Sequence, residues 1–200
     1  SRNNDVVMLD SYKPQVDAIN EHGIRVLEED GTEGVYDHVR AALSGEYREE
    51  ADLVIVFVKS TFSEDALRTN RRLFGEKTLV MTLQNGAGND RKIAQYVDKK
   101  NIIIGTSKHN SVNLGGGEVR HSGHGTTTIG SNLKENANLA VIRDLLEESG
   151  FHAEITEDIQ RIIWSKLFVN LSINTFTAIT RSPICSMIDN QYAWDFAEKM

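Results

Sequence analysis

The chain lacks the means for a covalent framework: Cys185 is the single cysteine in 200 residues, so no internal disulfide can form, and a reducing compartment is expected. It also lacks basic excess, with 22 Lys+Arg against 29 Asp+Glu and a formal net charge of −7. No general positive field therefore exists to hold nucleic acid or an anionic membrane surface. No run of residues reads as the roughly 20 apolar positions that a bilayer span requires, and no charged-then-apolar leader precedes the first strand. A soluble, cytoplasmic protein without nucleic-acid or membrane partners is expected. Repeats and low-complexity tracts are absent, and so is a G-x-G-x-x-G fingerprint. Ser1-Arg2-Asn3-Asn4 carries no initiator Met, so the chain is expected to begin in mid-fold. What is present, 40% hydrophobic and 26% charged residues, is a globular composition.

The hydrophobic pattern alternates between strand and helix. Asp5 to Asp10 is a short apolar run closed by an acid, followed by a helical pattern through Val16 and Ile19 to Gly23. Ile24 to Val39 suits a hairpin around Asp30-Gly31. Ala51 to Lys59 is apolar on both faces and predicts a central parallel strand between helical layers. A helix from Ser63 to Gly75, a strand from Thr78 to Leu83, a helix from Arg91 to Val97 and a strand from Asn101 to Thr106 continue the rhythm. Such alternation argues an α/β fold with an open, mostly parallel sheet.

Glycines punctuate residues 108–131, where Glu118 to His121 and Thr126 to Ile129 predict antiparallel strands at a sheet edge. A helix over 136–150 and a short strand over 151–155 follow. Glu157 to Ile179 then predicts a helix of about six turns, apolar on most sides and expected to be buried. Pro183 marks its end, and a further helix begins at Asp189 and runs to Met200, where the chain is expected to be cut short. These shifts divide the chain into a dinucleotide-binding-like domain over 1–156, incomplete at its start, and the beginning of a helical domain over 157–200.

Asp10 ends its strand where the second strand of a dinucleotide-binding fold places a group toward the adenosine ribose. A plain solvated carboxylate or helix cap explains it equally well. An acid there favours NAD, whereas Lys13 and Lys59 could neutralise a 2′-phosphate, so the residues alone leave that choice open. Lys59 stands at the carboxyl end of its strand, where open α/β sheets bind ligands, although a lysine there is often only an edge residue. Gly86-Ala87-Gly88 follows a strand and precedes a helix, but Arg91 occupies the third glycine position, a weak match to a pyrophosphate loop.

Lys166, Asn170 and Asn174 recur at i, i+4 and i+8 and share one face of an otherwise apolar helix. An ammonium and two amides are costly to bury unless partnered, and a lysine so placed tends toward a lowered pKa suited to proton transfer. A general acid with two orienting amides is one reading, and a structural polar seam is the other. Trp164 and Ser165 read as packing residues. His109, His121 and His124 have no carboxylate or thiol at a recognisable ligand spacing, so no metal is expected. Cys185 reads as a packed small hydrophobe rather than a nucleophile.

Four segments in register carry a resemblance. Val56-Phe57-Val58-Lys59, Thr82 to Asn89 (Thr-Leu-Gln-Asn-Gly-Ala-Gly-Asn), Gly117 to Gly125 and Trp164 to Asn174 resemble the ketopantoate reductase (2-dehydropantoate 2-reductase) family across nearly the whole chain. The resemblance implies a Rossmann-type sheet, here without its first strand and glycine loop, followed by the start of an all-helical C-terminal domain. It implies NADPH-dependent reduction of 2-dehydropantoate in pantothenate and coenzyme A biosynthesis, NADP as cofactor with NAD as the alternative, and a homodimer.

By that resemblance Lys166 is the general acid, Asn170 and Asn174 hold the substrate hydroxyl, Asn85 lies between nicotinamide and substrate, and Lys59 helps bind the cofactor. Asp10 and Lys13 complete the expected cofactor contacts. The stretch Thr106-Ser107-Lys108-His109-Asn110-Ser111 departs from the family's Thr-x-x-His-Gly-Ala pattern. Another branched 2-keto acid is therefore the alternative substrate, as for the mandelate dehydrogenases of the superfamily. A catalytically silent nucleotide-binding module is the rival of a different class.

Overall fold

The computed structural model describes residues 4–199; Ser1 to Asn3 and Met200, where the chain's two ends fall, lie outside the described residues. In chain order the elements are β1 (Val7–Asp10), α1 (Lys13–His22), β2 (Ile24–Leu27), β3 (Glu33–Tyr36), β4 (Arg40–Leu43), β5 (Leu53–Val56), α2 (Ser63–Thr69), β6 (Leu79–Thr82) and α3 (Asn89–Ile93). There follow β7 (Ile102–Ser107), β8 (Asn110–Gly115), β9 (Glu118–Gly123), β10 (Thr127–Gly130), α4 (Asn138–Glu148), β11 (Ala153–Ile155), α5 (Ile159–Thr180), α6 (Cys185–Ile188) and α7 (Gln191–Lys199).

A five-stranded sheet in the order β11-β10-β7-β6-β5 organises the chain. Strands β5, β6 and β7 run parallel, so their carboxyl ends share one edge. β10 is antiparallel to β7 and parallel to β11. The pleat sends successive side chains to opposite faces, and two core clusters result. Val80, Ile102 and Ile104 face Leu67 of α2, Ile93 of α3 and Ile159 of α5. Met81, Ile103 and Ile129 face Ile142 of α4. Both faces are covered, which is why these strands read as continuous apolar runs. Two smaller sheets stand beside it: β1 pairs in parallel with β4, and a four-stranded sheet has the order β3-β2-β9-β8.

Helix α5 docks by its first residue. Ile159 is 1% exposed, and a Cβ on Gly130 would lie 2.6 Å from the Ile159 Cβ, so only glycine lets β10 and α5 approach this closely.

Several expectations are corrected. The strand expected over 51–59 is β5, only four residues long, and it ends the five-stranded sheet rather than lying within it. Ile55 and Phe57 are accordingly exposed, because β6 is its only hydrogen-bonded neighbour among the described strands. The helix expected to reach Gly75 stops at Thr69, where the Asn70 side chain donates to the Ala66 carbonyl and to Ser44 Oγ and ties the helix end to β4. β4, β8 and α6 had no clear periodic signature. β10 is an interior strand, not an edge.

The long helix α5 forms as expected over 22 residues, but its middle is not buried: Trp164, Phe168, Val169 and Leu171 are about half exposed, and Ser165 is exposed as well. Among the described residues only its first turns meet the sheet, so apolar composition alone misjudged its surroundings. By length and apolar composition alone α5 could cross a membrane, but polar positions interrupt its apolar run. One such helix is weak evidence for a membrane. Cys185 is exposed at the start of α6 instead of packed.

Candidate functional site

The parallel arrangement of β5, β6 and β7 places three exit segments at one edge. Lys59 follows β5, Asn85 follows β6, and Ser107 ends β7. Carboxyl ends of parallel strands are where open α/β sheets bind ligands, since the loops there diverge and leave a crevice.

The exit loops are tied to one another by Gln84. Its Nε2 donates to the Val58 carbonyl and, at 2.8 Å, to Ser63 Oγ, while Thr82 Oγ1 donates to its Oε1 at 3.0 Å. Lys92 Nζ adds a bond to the Ser60 carbonyl at 2.7 Å. The loops carrying Lys59 and Asn85 are thus held in register by polar contacts, half-buried apart from the exposed bond to Val58. Gly86 and Gly88 both adopt positive φ, and a Cβ at either would meet nothing within 4 Å. Left-handed backbone makes glycine the suitable residue in this turn, and the space above it is open.

Lys166 reaches the same edge from α5. Its Nζ donates to the Ser107 carbonyl at 3.0 Å. Burial, together with the nearby Lys108 charge, lowers the pKa of Lys166 below the ordinary lysine value. Asn170 and Asn174 follow at one-turn intervals, the first half-buried and the second exposed. The side-chain polar groups of Lys59, Asn85, Asn170 and Asn174 make no hydrogen bond or ion pair among the described residues. They are available to a ligand. A sheet edge with one tethered ammonium and several unengaged amides can orient a polar carbonyl compound and give it a proton.

Asp10 ends β1 of the separate β1–β4 pair, and Lys13 opens α1 after it. Asp10 Oδ1 accepts from the Tyr12 amide at 2.9 Å, which is a turn-forming role. Lys13 Nζ contacts both oxygens of Asp17, at 2.6 and 2.9 Å, one helical turn on. That pair is exposed, and exposed pairs contribute only about 0–1 kcal/mol, so Asp17 is readily displaced from Lys13 by a stronger anion.

Sequence reasoning named Lys166 but not its anchor, because a backbone carbonyl 59 residues away leaves no mark in side-chain pattern. Gln84 lay inside a motif already singled out, yet its role became visible only when β5 and β6 were paired. His109, His121 and His124, which looked separate in sequence, converge beside Glu28.

Comparison with known proteins adds an independent line. Residues 1–134 match the family described as ketopantoate reductase PanE/ApbA, and residues 158–200 match the description ketopantoate reductase PanE/ApbA C terminal. A 2-dehydropantoate 2-reductase of Halobacterium salinarum is 34% identical over 175 residues, covering 87% of this chain and 57% of that protein. A 2-dehydropantoate 2-reductase of Lactococcus lactis is 29% identical, covering 96% of this chain and 62% of that one.

Among solved structures, 2-dehydropantoate 2-reductase from Geobacter metallireducens superposes with a TM-score of 0.89 at 26% identity, over 98% of this chain and 64% of its own. D-mandelate dehydrogenase in a ternary structure with NADH and anilino(oxo)acetate superposes with a TM-score of 0.88, also at 26% identity, over 98% and 63%. The chain therefore spans about three fifths of the length of the relatives it matches.

Proposed function

The chain belongs to the ketopantoate reductase PanE/ApbA family, and we propose that it carries the cofactor edge and the proton donor of an NADPH-dependent 2-dehydropantoate 2-reductase. The observation behind this reading is the Lys166 ammonium held against the end of β7, on the same sheet edge as Lys59 and Asn85.

The fit to a nicotinamide cofactor rests on that edge: an exposed Lys59, an unengaged Asn85 amide and the open glycine turn beside it. When bound, the cofactor supplies a hydride to the keto carbon. The chain's own residues do the rest. Lys166 gives its proton to the keto oxygen as negative charge grows there, a contribution of about 10²–10⁴-fold for a positioned general acid. Its lowered pKa makes that proton easier to give, and the Ser107 carbonyl keeps the ammonium aimed along the strand end.

Asn170 and Asn174 would orient the substrate through its hydroxyl, and Asn85 would hydrogen-bond at the border where cofactor ring and substrate meet, leaving the path of the hydride clear. Lys59 and Lys13 offer charge to a 2′-phosphate, which is the basis for proposing NADP. Asp10, with one oxygen left by its turn bond, instead offers an acceptor to a ribose hydroxyl and keeps NAD as the alternative. The cytoplasm is the proposed location and a homodimer the proposed assembly, the latter consistent with the exposed apolar residues of α5 and α7.

The likeness to D-mandelate dehydrogenase supports a second substrate reading within the same reaction class, an aryl or other branched 2-keto acid. Following NADPH and NADH absorbance with ketopantoate and a panel of 2-keto acids tests both. Oxidation with ketopantoate is expected; turnover confined to other keto acids moves the substrate assignment, and no oxidation with any pair overturns the reading.

A further inference from the structure

Outside the reductase edge, the four-stranded sheet gathers a second cluster of polar side chains. β2 runs parallel to β9 with Leu27 opposite Arg120, which sets Glu28 beside His121. β8 and β9 pair antiparallel with Asn110 opposite Gly123, which brings His109, just before β8, to the same place. His124 follows β9 directly. Ligand nitrogens of the three histidines lie within 4.8 Å of one another.

We infer that His109, His121 and His124 bind a divalent transition-metal ion of the zinc class, with Glu28 holding His121 in its ligating tautomer. Glu28 Oε2 lies 2.8 Å from His121 Nδ1, so that nitrogen donates its proton to the carboxylate and Nε2 is left as a bare lone pair. A carboxylate behind a metal-binding imidazole is the usual supporting contact, since it fixes both tautomer and ring orientation. His121 Nε2 points at His109 Nδ1, 3.1 Å away. Zinc–nitrogen bonds of about 2.0–2.1 Å in a tetrahedron put neighbouring ligand atoms about 3.3–3.4 Å apart. The observed spacing is close to that edge.

The Nδ1 of His109 is the nitrogen that faces His121, while its Nε2 is buried on the far side of the ring.

The third ligand has freedom to complete the set. His124 is 69% exposed and stands between Gly123 and Gly125, so its ring can close the remaining distance. Approach is electrostatically favourable: a concavity of about 520 Å³ beside it is lined by Glu28, Glu29, Asp30 and His124. Phe151 packs edge-on against the His109 ring and covers the other side. Three nitrogens leave a fourth position on the solvent side, and the ion would join β2, β9 and the β7–β8 connection.

The test is equilibrium titration of the chelator-stripped protein with zinc chloride against a chromophoric chelator. One zinc per chain with a sub-micromolar Kd is expected, together with a zinc-dependent rise in Tm. His109→Gln and His121→Gln should each weaken binding at least 100-fold, and Glu28→Gln about 10–100-fold. His124→Ala, at an exposed position, should weaken binding at least tenfold while leaving the Tm of the metal-free chain unchanged. Lys166→Ala should bind zinc as the parent does, which separates this inference from the reductase reading. Stoichiometry far below one, or equal affinity in the parent and in both His109→Gln and His124→Ala, overturns the proposal.

Discussion

The Lys166 ammonium donates a hydrogen bond to the Ser107 carbonyl 3.0 Å away, joining the long helix to the carboxyl end of β7. Nearly everything proposed for the reaction depends on this contact, since it brings a half-buried proton donor to an edge that otherwise carries amides and the exposed lysines Lys59 and Lys108.

Removing the donor should slow turnover without emptying the cofactor site. Lys166→Ala is expected to lower kcat by about 10²–10⁴-fold, with NADPH affinity within about twofold of the parent. Lys166→Arg keeps a positive charge but gives up no proton near neutral pH, so it should not restore the rate. Recovery in the arginine variant would show that charge, and not proton transfer, is what the position supplies.

The pH dependence follows from the direction of the Lys166 shift. Desolvation and then Lys108 disfavour the charged form, so the pKa in the folded chain lies below the ordinary lysine value of 10.5. Protonated Lys166 therefore opposes folding below its folded pKa, and this opposition fades as pH rises from that value toward 10.5. As a general acid, Lys166 loses its proton over the same range, and the alkaline limb of the kcat profile should begin below 10.5. Lys108→Ala removes the like charge and should move that limb to higher pH. An unmoved limb would remove Lys108 as a cause.

Gln84→Ala unties the loops after β5 and β6. Net contributions of about 0.5–1.5 kcal/mol for each of its three side-chain hydrogen bonds predict a loss of about 1.5–4.5 kcal/mol in stability. The KM for NADPH should rise several-fold while kcat changes less, because Lys166 keeps its own anchor. Urea unfolding and steady-state kinetics read the two effects separately.

Gly130→Ala places a methyl 2.6 Å from the Ile159 Cβ and pushes α5 away from β10. Overpacking of this kind costs about 1–3 kcal/mol. Activity should fall further than stability, since displacement of α5 carries Lys166 away from Ser107. Full activity in a destabilised variant would show that α5 is positioned elsewhere.

Much of this was legible in one dimension. The continuous apolar runs of β6 and β7 and the glycine turn at 86–88 carry their own signals, because residues at fixed spacing must share a strand face or a backbone conformation. The i, i+4, i+8 spacing placed Lys166, Asn170 and Asn174 on one helix face, and α5 forms over that segment. β5 was misplaced at the centre of the sheet because an apolar run reports propensity for burial, not how many neighbours arrive. The exposed middle of α5 was missed for the same reason.

The chain's own order of residues determined the α/β alternation, the absence of a disulfide within these 200 residues and the polar stripe of the long helix, since each depends on local periodicity or simple composition. Only the tertiary structure decided that Lys166 meets Ser107, that Gln84 ties two loops and that three histidines and Glu28 share one place. Those contacts join residues brought together by strand pairing, and pairing partners are chosen by packing over the whole fold, which no local spacing encodes.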